Sequence, residues 1–165
     1  MIMRIVVAYG GTSPEREVSL NSGKAVCEAL LEMGHSVVLE DVLSPRAFVE
    51  KWHTFGADGV FIALHGDWGE DGRFQTCLEA YGIPYTGSGP EACMFAMDKT
   101  VAKLLFSLNN IPMPYGSIIN KGEYPGVHEK EMLLRFGTLI VKPNCGGSTV
   151  GVTQAKTVEE LRSGI

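Results

Sequence analysis

With 165 residues, 45% of them apolar and 20% charged, the chain has the composition of an ordinary globular protein, long enough for one good core or two small domains. A formal net charge of -5, without any run of Lys or Arg, argues against nucleic acid as the main partner. The four cysteines, Cys27, Cys77, Cys93 and Cys145, form no CxxC pair, so neither a zinc site nor a disulfide framework is indicated, and a reducing cytoplasm is the simplest compartment.

The opening MIMRIVVAYGG has too short an apolar run for a secretory signal, and nothing in the sequence approaches a membrane span. Residues 3–9 read as a strand whose Ile5-Val6-Val7-Ala8 are buried on both faces, as in a parallel sheet. After the turn cluster Gly10-Gly11-Thr12-Ser13-Pro14 a helix runs to about Met33, with Ala25, Val26, Ala29, Leu30 and Met33 as its apolar face and Gly34 as its stop. Val37–Val42 is a second strand, Ser44-Pro45 opens a helix through Phe55, and Gly59–Leu64 is a third strand. This βαβαβ order predicts a doubly wound parallel sheet with ligands at the carboxyl ends of its strands.

A helix follows from about Glu70 to Tyr81, then a short strand near Pro84-Tyr85-Thr86, and Gly87-Ser88-Gly89-Pro90 as the candidate hinge. Asp98 is placed to cap a helix with Val101, Leu104, Leu105 and Leu108 on its apolar face. Beyond Pro112 and Pro114 come a strand at Ser117-Ile118-Ile119, a polar stretch of unassigned form, and the segment VKPNCGGSTVGV at 141–152. Thr157 with Glu160 then makes a capping box for a last helix.

The segment 141–152 is the most suggestive of these. Leu139-Ile140-Val141 lead into Lys142, two glycines and two hydroxyls, Gly146-Gly147-Ser148-Thr149, and a second apolar run, which reads as strand, loop and returning strand. Convergent N–H groups, two hydroxyls and a lysine suit an anion such as phosphate, although an ordinary Gly-rich hairpin has the same outline. It is not a Walker A motif, because no Gly-Lys-Ser/Thr follows.

Other candidates lie where strands end. Glu15 could pair with a ligand ammonium, or with Glu17 merely complement the helix dipole. His65, at the lip of the third strand, could hold a carboxylate or carry a proton, or be structural. Glu70 and Asp71 fit first-turn capping; a metal site built with His65 is conceivable but matches no ligand signature. Lys99 could neutralise phosphates if it lay beside the loop, and is otherwise a surface lysine.

Together these stretches resemble the D-alanine–D-alanine ligases of the ATP-grasp superfamily. The matching segments are GGTSPEREVSLNSG at 10–23, FIALHGDWGEDG at 61–72, GIPYTGSG at 82–89, MDK at 97–99 and VKPNCGGSTVGV at 141–152, in the family's order and spacing. The resemblance implies a doubly wound substrate-side (pre-ATP-grasp) domain at 1–95 and part of an α+β ATP-grasp subdomain at 96–165. It implies that Glu15 contacts the ammonium of the first D-alanine and His65 its carboxylate. Lys99, Lys142, Gly147, Ser148 and Thr149 would bind ATP phosphates, Ser148 also lying between Glu15 and the transferring phosphate. It further implies Mg²⁺, with no ligands for it in this chain, and a cytoplasmic homodimer serving peptidoglycan precursor synthesis.

Departures from the family pattern are Ser148-Thr149 in place of Ser-Ser, Gly146 in place of a frequent glutamate, and Asp67-Trp68 in place of a basic and small pair. Family enzymes also continue well beyond these motifs, into the segment that carries the Mg²⁺ ligands. The expectation is therefore an N-terminal portion that is inactive alone. The alternatives are a non-catalytic binding or dimerising module, and a ligase that accepts D-lactate or D-serine.

Overall fold

The computed structural model describes residues 1–120, 123 and 126–165. Its contacts divide the chain into two compact units, Met1–Met97 and Asp98–Ile165.

Unit 1 is built on a parallel sheet of β1 (Arg4–Tyr9), β2 (Ser36–Asp41) and β3 (Gly59–Ile62), in the order β2-β1-β3. Val6 pairs with Val38 on one side and Val60 on the other. The short strand expected near Tyr85 is a single parallel bridge to Val60. Helix α1 (Arg16–Glu32) packs on β1 and β2, whereas α2 (Pro45–Phe55) packs against α4 (Arg73–Ala80). Phe48 and Phe74 meet edge to face at 5.2 Å within the core formed with Val6, Ala8, Val60, Leu64 and Leu78. Alternation along β1 divides the side chains: Val6 and Ala8 enter this core, and Tyr9 faces α1.

The buried face of α1 is not the apolar stripe expected. Ser19 and Gly23 are buried, whereas Ala25, Ala29 and Met33 are exposed. Close packing decides this. A Cβ on Gly23 would stand 2.4 Å from Tyr9 Cβ, and the Ser19 hydroxyl donates to the Ala63 carbonyl at 2.7 Å. A small residue and a satisfied hydroxyl bring helix and strand closer than larger apolar side chains allow.

Ser44 caps α2 by accepting from the Ala47 N–H. The single helix expected from Glu70 to Tyr81 is two, α3 (Asp67–Glu70) and α4, broken where Gly72 takes φ +91°. The hinge candidate 87–90 lies inside unit 1, where it leads into α5 (Pro90–Met97), which packs on α3 and α4.

Unit 2 opens with α6 (Lys99–Leu108). The Asp98 carboxylate accepts from the Thr100 and Val101 N–H groups at 2.9 and 3.0 Å, and these bonds, the Val101 one foremost, hold its pKa below the ordinary carboxylate value. The apolar face predicted for α6 is not a core: Leu104 and Leu108 are 59% and 70% exposed. Residues 117–119, expected as a strand, have no strand pairing among the described residues. The unassigned polar stretch lies partly outside the described residues and leads into α7 (Val127–Phe136). Strand β4 (Leu139–Val141) pairs antiparallel with β5 (Thr153–Ala155). The returning strand thus begins after Val152, because residues 147–152 close as turns, with Val150 N–H to Gly147 O and Val152 N–H to Thr149 O. Thr157 and Glu160 form the expected capping box at the start of α8 (Val158–Ser163). Among the described residues no helix is long and apolar enough to cross a membrane.

Candidate active site

The loops after β1 and β3 meet at the carboxyl ends of their strands. They line a small crevice with Gly11, Thr12, Ser13 and the run Leu64–Gly69. The β2-β1-β3 order makes this the side of β1 where the chain switches direction across the sheet, the usual place for a ligand in an open α/β fold. Ser13 ties the two loops together: its hydroxyl donates to the His65 carbonyl at 2.6 Å and accepts the Glu15 N–H at 3.1 Å.

Glu15 stands at the N-cap position of α1 and is 6% exposed. Its carboxylate lies against Gly66, where a Cβ would come within 3.0 Å of Oε1. Gly66, at φ +70°, leaves this approach open and turns the chain into α3. His65 is held from both ring nitrogens, with Nε2 3.0 Å from Ser22 Oγ and Nδ1 3.3 Å from Glu70 Oε1. The other Glu70 oxygen accepts the Gly66 N–H at 2.9 Å. Glu70 is therefore a first-turn acid that caps the start of α3, as expected, and at the same time supports the His65 loop. Asp71 turns away from His65 to Arg73, at 2.6 Å, so the conceivable His65–Glu70–Asp71 metal site does not assemble. Among the described residues no group of three or more His, Cys, Asp or Glu side chains could hold a metal ion.

Behind the crevice, Arg16 forms a two-pronged pair with Asp41 at 2.9 and 2.6 Å and donates to the Gly11 carbonyl at 2.7 Å. The Arg16 guanidinium, more than any other group, holds the Asp41 carboxylate below its ordinary pKa.

Unit 2 carries a second cluster. Lys99 Nζ donates to the Gly146 carbonyl at 2.7 Å, so the lysine at the start of α6 lies on the glycine loop. Asn144 fixes the adjacency: its carbonyl accepts the Lys99 N–H at 3.1 Å, and its side-chain oxygen accepts the Thr100 N–H and hydroxyl at 3.0 and 2.8 Å. Lys142 is exposed at the end of β4. Ser148 and Thr149 have φ of +46° and +61°. This is the left-handed region, which costs non-glycine residues about 1–2 kcal/mol each. Gly147 is half-buried between them and Gly146.

The structure thus brings Glu15 and His65 together in unit 1, and Lys99 onto the loop carrying Lys142, Gly147, Ser148 and Thr149 in unit 2. Sequence reasoning did not single out Ser22, Glu70 as the partner of His65, Asn144, or the Arg16–Asp41 pair. Ser22 is half a helix from the Gly-Gly turn, and only the pairing of β1 with β3 brings it to His65.

Residues 41–88 match a family model described as the D-ala D-ala ligase N-terminus. The chain is 43% identical over 165 residues to a D-alanine–D-alanine ligase of Halalkalibacterium halodurans, covering 99% of this chain and 52% of that protein. A second such ligase, from Glaesserella parasuis, is 41% identical over 160 residues, covering 96% of this chain and 51% of its own length. Among solved structures, the Bacillus anthracis D-alanine–D-alanine ligase superposes with a TM-score of 0.83 at 35% identity, over 98% of this chain and 52% of that one. The same enzyme complexed with ATP gives a TM-score of 0.81 at 34% identity, over 98% and 53%. The chain spans about half the length of the curated relatives it matches and has the α/β fold of their solved counterparts. By sequence and by fold, it resembles the D-alanine–D-alanine ligases over about half of their length.

Proposed function

We propose that these residues supply the first-substrate and phosphate-loop parts of an ATP-dependent D-alanine–D-alanine ligase acting in peptidoglycan precursor synthesis. In the proposed reaction the carboxylate of one D-alanine is phosphorylated at the expense of ATP. The amine of a second D-alanine then attacks the acyl phosphate, and inorganic phosphate leaves the tetrahedral intermediate. Cytoplasmic placement and a homodimer belong to the same proposal.

The observation that carries it is the lysine-held loop of unit 2, where Lys99 sits on the Gly146 carbonyl and two hydroxyl residues are bent into left-handed backbone. Exchanging that carbonyl for phosphate oxygens gives the Lys99 ammonium a partner of full opposite charge, and Lys142 adds a second cation on the same loop. Gly147, Ser148 and Thr149 would add N–H and hydroxyl donors. Such transfers depend on positioning and on neutralising developing charge, which is what two lysines and fixed donors provide. On unit 1, Glu15 would take the D-alanine ammonium and His65 its carboxylate, each position fixed by Ser13, Ser22 and Glu70. The family resemblance implies Mg²⁺. Because the described residues assemble no cluster able to hold it, no step is assigned to it.

The test is an NMR titration of the 165-residue chain with D-alanine, with L-alanine as control, and separately with ATP. D-alanine is expected to shift the His65 ring and Glu15 amide signals, and to lose this effect in Glu15→Gln. ATP is expected to shift residues 142–149. A chain whose signals respond to neither compound overturns the proposal.

A further inference from the structure

Helix α1 contributes a group to the His65 site that the functional reading does not use. Ser22 Oγ lies 3.0 Å from His65 Nε2 and is half-buried there, on the opposite side of the ring from Glu70 Oε1 at 3.3 Å from Nδ1. The chemistry of these partners orders the protons. An ionised carboxylate has no hydrogen to give, so Nδ1 must carry the one shared with Glu70. A neutral imidazole has only one N–H, so Nε2 is then an acceptor, and the hydrogen at 3.0 Å comes from the Ser22 hydroxyl. A serine inside a helix commonly donates to the carbonyl one turn back; here a ring nitrogen competes for that hydrogen.

We propose that Ser22 is a positioning residue for His65, donating its hydroxyl hydrogen to Nε2 while Glu70 accepts from Nδ1, so that the neutral ring is held as the Nδ1–H tautomer. The arrangement has a use at an anion site. When Nε2 gains a proton the same hydroxyl becomes an acceptor or turns to a ligand oxygen, so the ring changes charge without changing place. A serine can do both, because it is donor and acceptor at once. An alanine can do neither. The use at a carboxylate rests on the D-alanine reading of His65. The tautomer does not, so the two can fail separately.

The test reads the His65 ring nitrogens by ¹⁵N NMR in the 165-residue chain without added D-alanine. The measurement is made at a pH of about 8.5, well above the ordinary imidazole pKa of about 6.5. The His65 signal is identified by its loss in His65→Gln. The Nδ1–H form is expected to exceed the Nε2–H form by about tenfold or more, a ratio within reach of one hydrogen bond to a charged group. Ser22→Ala should lower that ratio by about three- to tenfold, with the tryptophan fluorescence of the folded chain unmoved, and Ser22→Thr should restore it. A predominantly Nε2–H ring in the unmodified chain overturns the proposal without any variant. So does a ratio that Ser22→Ala leaves unchanged.

Discussion

Gly23→Ala tests how closely α1 is seated on the sheet, and through it how the Glu15 and Ser22 positions are fixed. The added methyl would lie 2.4 Å from Tyr9 Cβ and 2.7 and 2.6 Å from ring atoms Cγ and Cδ2. Real Cβ atoms essentially never approach so near, and Tyr9 Cβ is fixed to a strand hydrogen-bonded on both sides, so relief requires the helix to lift. Overpacking of this kind costs about 1–3 kcal/mol. Replacing glycine by alanine inside a helix returns about 1 kcal/mol. Because the clash is with an atom that cannot rotate away, the steric cost should lie in the upper part of that range, about 2–3 kcal/mol, leaving a net loss of about 1–2 kcal/mol. Both tryptophans, Trp52 and Trp68, belong to unit 1, so their fluorescence in urea follows that unit alone. With a denaturant slope of about 1–2 kcal/mol/M for a unit of this size, the midpoint should fall by about 1 M. Asn21→Ala, exposed on the same helix, calibrates the propensity effect and should raise the midpoint slightly. An unchanged or raised midpoint in Gly23→Ala would refute the argument.

Three further outcomes are expected. Asp41→Asn breaks the pair with Arg16 and lowers the unit 1 urea midpoint at pH 7. Because Asp41 is held below the ordinary carboxylate value of about 3.9, its contribution is complete above that pH and fades as pH falls through the lowered folded-state value. The difference between Asp41→Asn and the unmodified chain should therefore shrink on acidification, and a difference that grows would contradict the pairing. Lys99→Met removes one of the two cations at the loop, the one held on the Gly146 carbonyl, while keeping a similar stem. Under the proposed function it should weaken ATP-induced shifts at residues 142–149 about tenfold or more, whereas equal shifts would assign the loop another role. Finally, under the proposed function this chain supplies only part of the ligase, so alone it is expected to release no ADP in a D-alanine-dependent assay. Turnover above background would overturn that expectation.

The sheet of unit 1 was legible because its signals are local: continuous β-branched runs, Ser44-Pro45, and glycine stops all act within a few residues. The helix caps at Asp98 and Thr157 were legible for the same reason. The buried face of α1 was not, since hydropathy favours Ala25 and Met33, and the actual contact is made by Ser19 and Gly23 for reasons of size and hydrogen bonding. Residues 117–119 have strand composition but no pairing partner among the described residues, and pairing is a property of the rest of the chain. At the site, His65 and Glu15 could be nominated from their places at strand ends. Ser22 and Asn144 could not, because each acts on a residue more than forty positions away. The loop 141–152 carried its composition openly, but the backbone of Ser148 and Thr149, unusual for side chains with a Cβ, is invisible in composition.

The apolar residues left uncovered in unit 2 bear on how the chain opens. Unit 1 buries Val6, Val7, Phe48, Phe74 and Leu78 almost completely, whereas among the described residues of unit 2 only Met132, Leu133, Ala155 and Leu161 are buried hydrophobics, and Leu104, Leu108, Leu134 and Ile140 face solvent. Local opening free energy follows buried apolar contact, so the two units should behave as separate cooperative units of unequal strength. Backbone amides of β4 and β5 should exchange with solvent through opening of unit 2 alone, well before those of β1. Lys99 and the loop it holds would then belong to the more readily opened part of the chain, and His65 to the part that opens last.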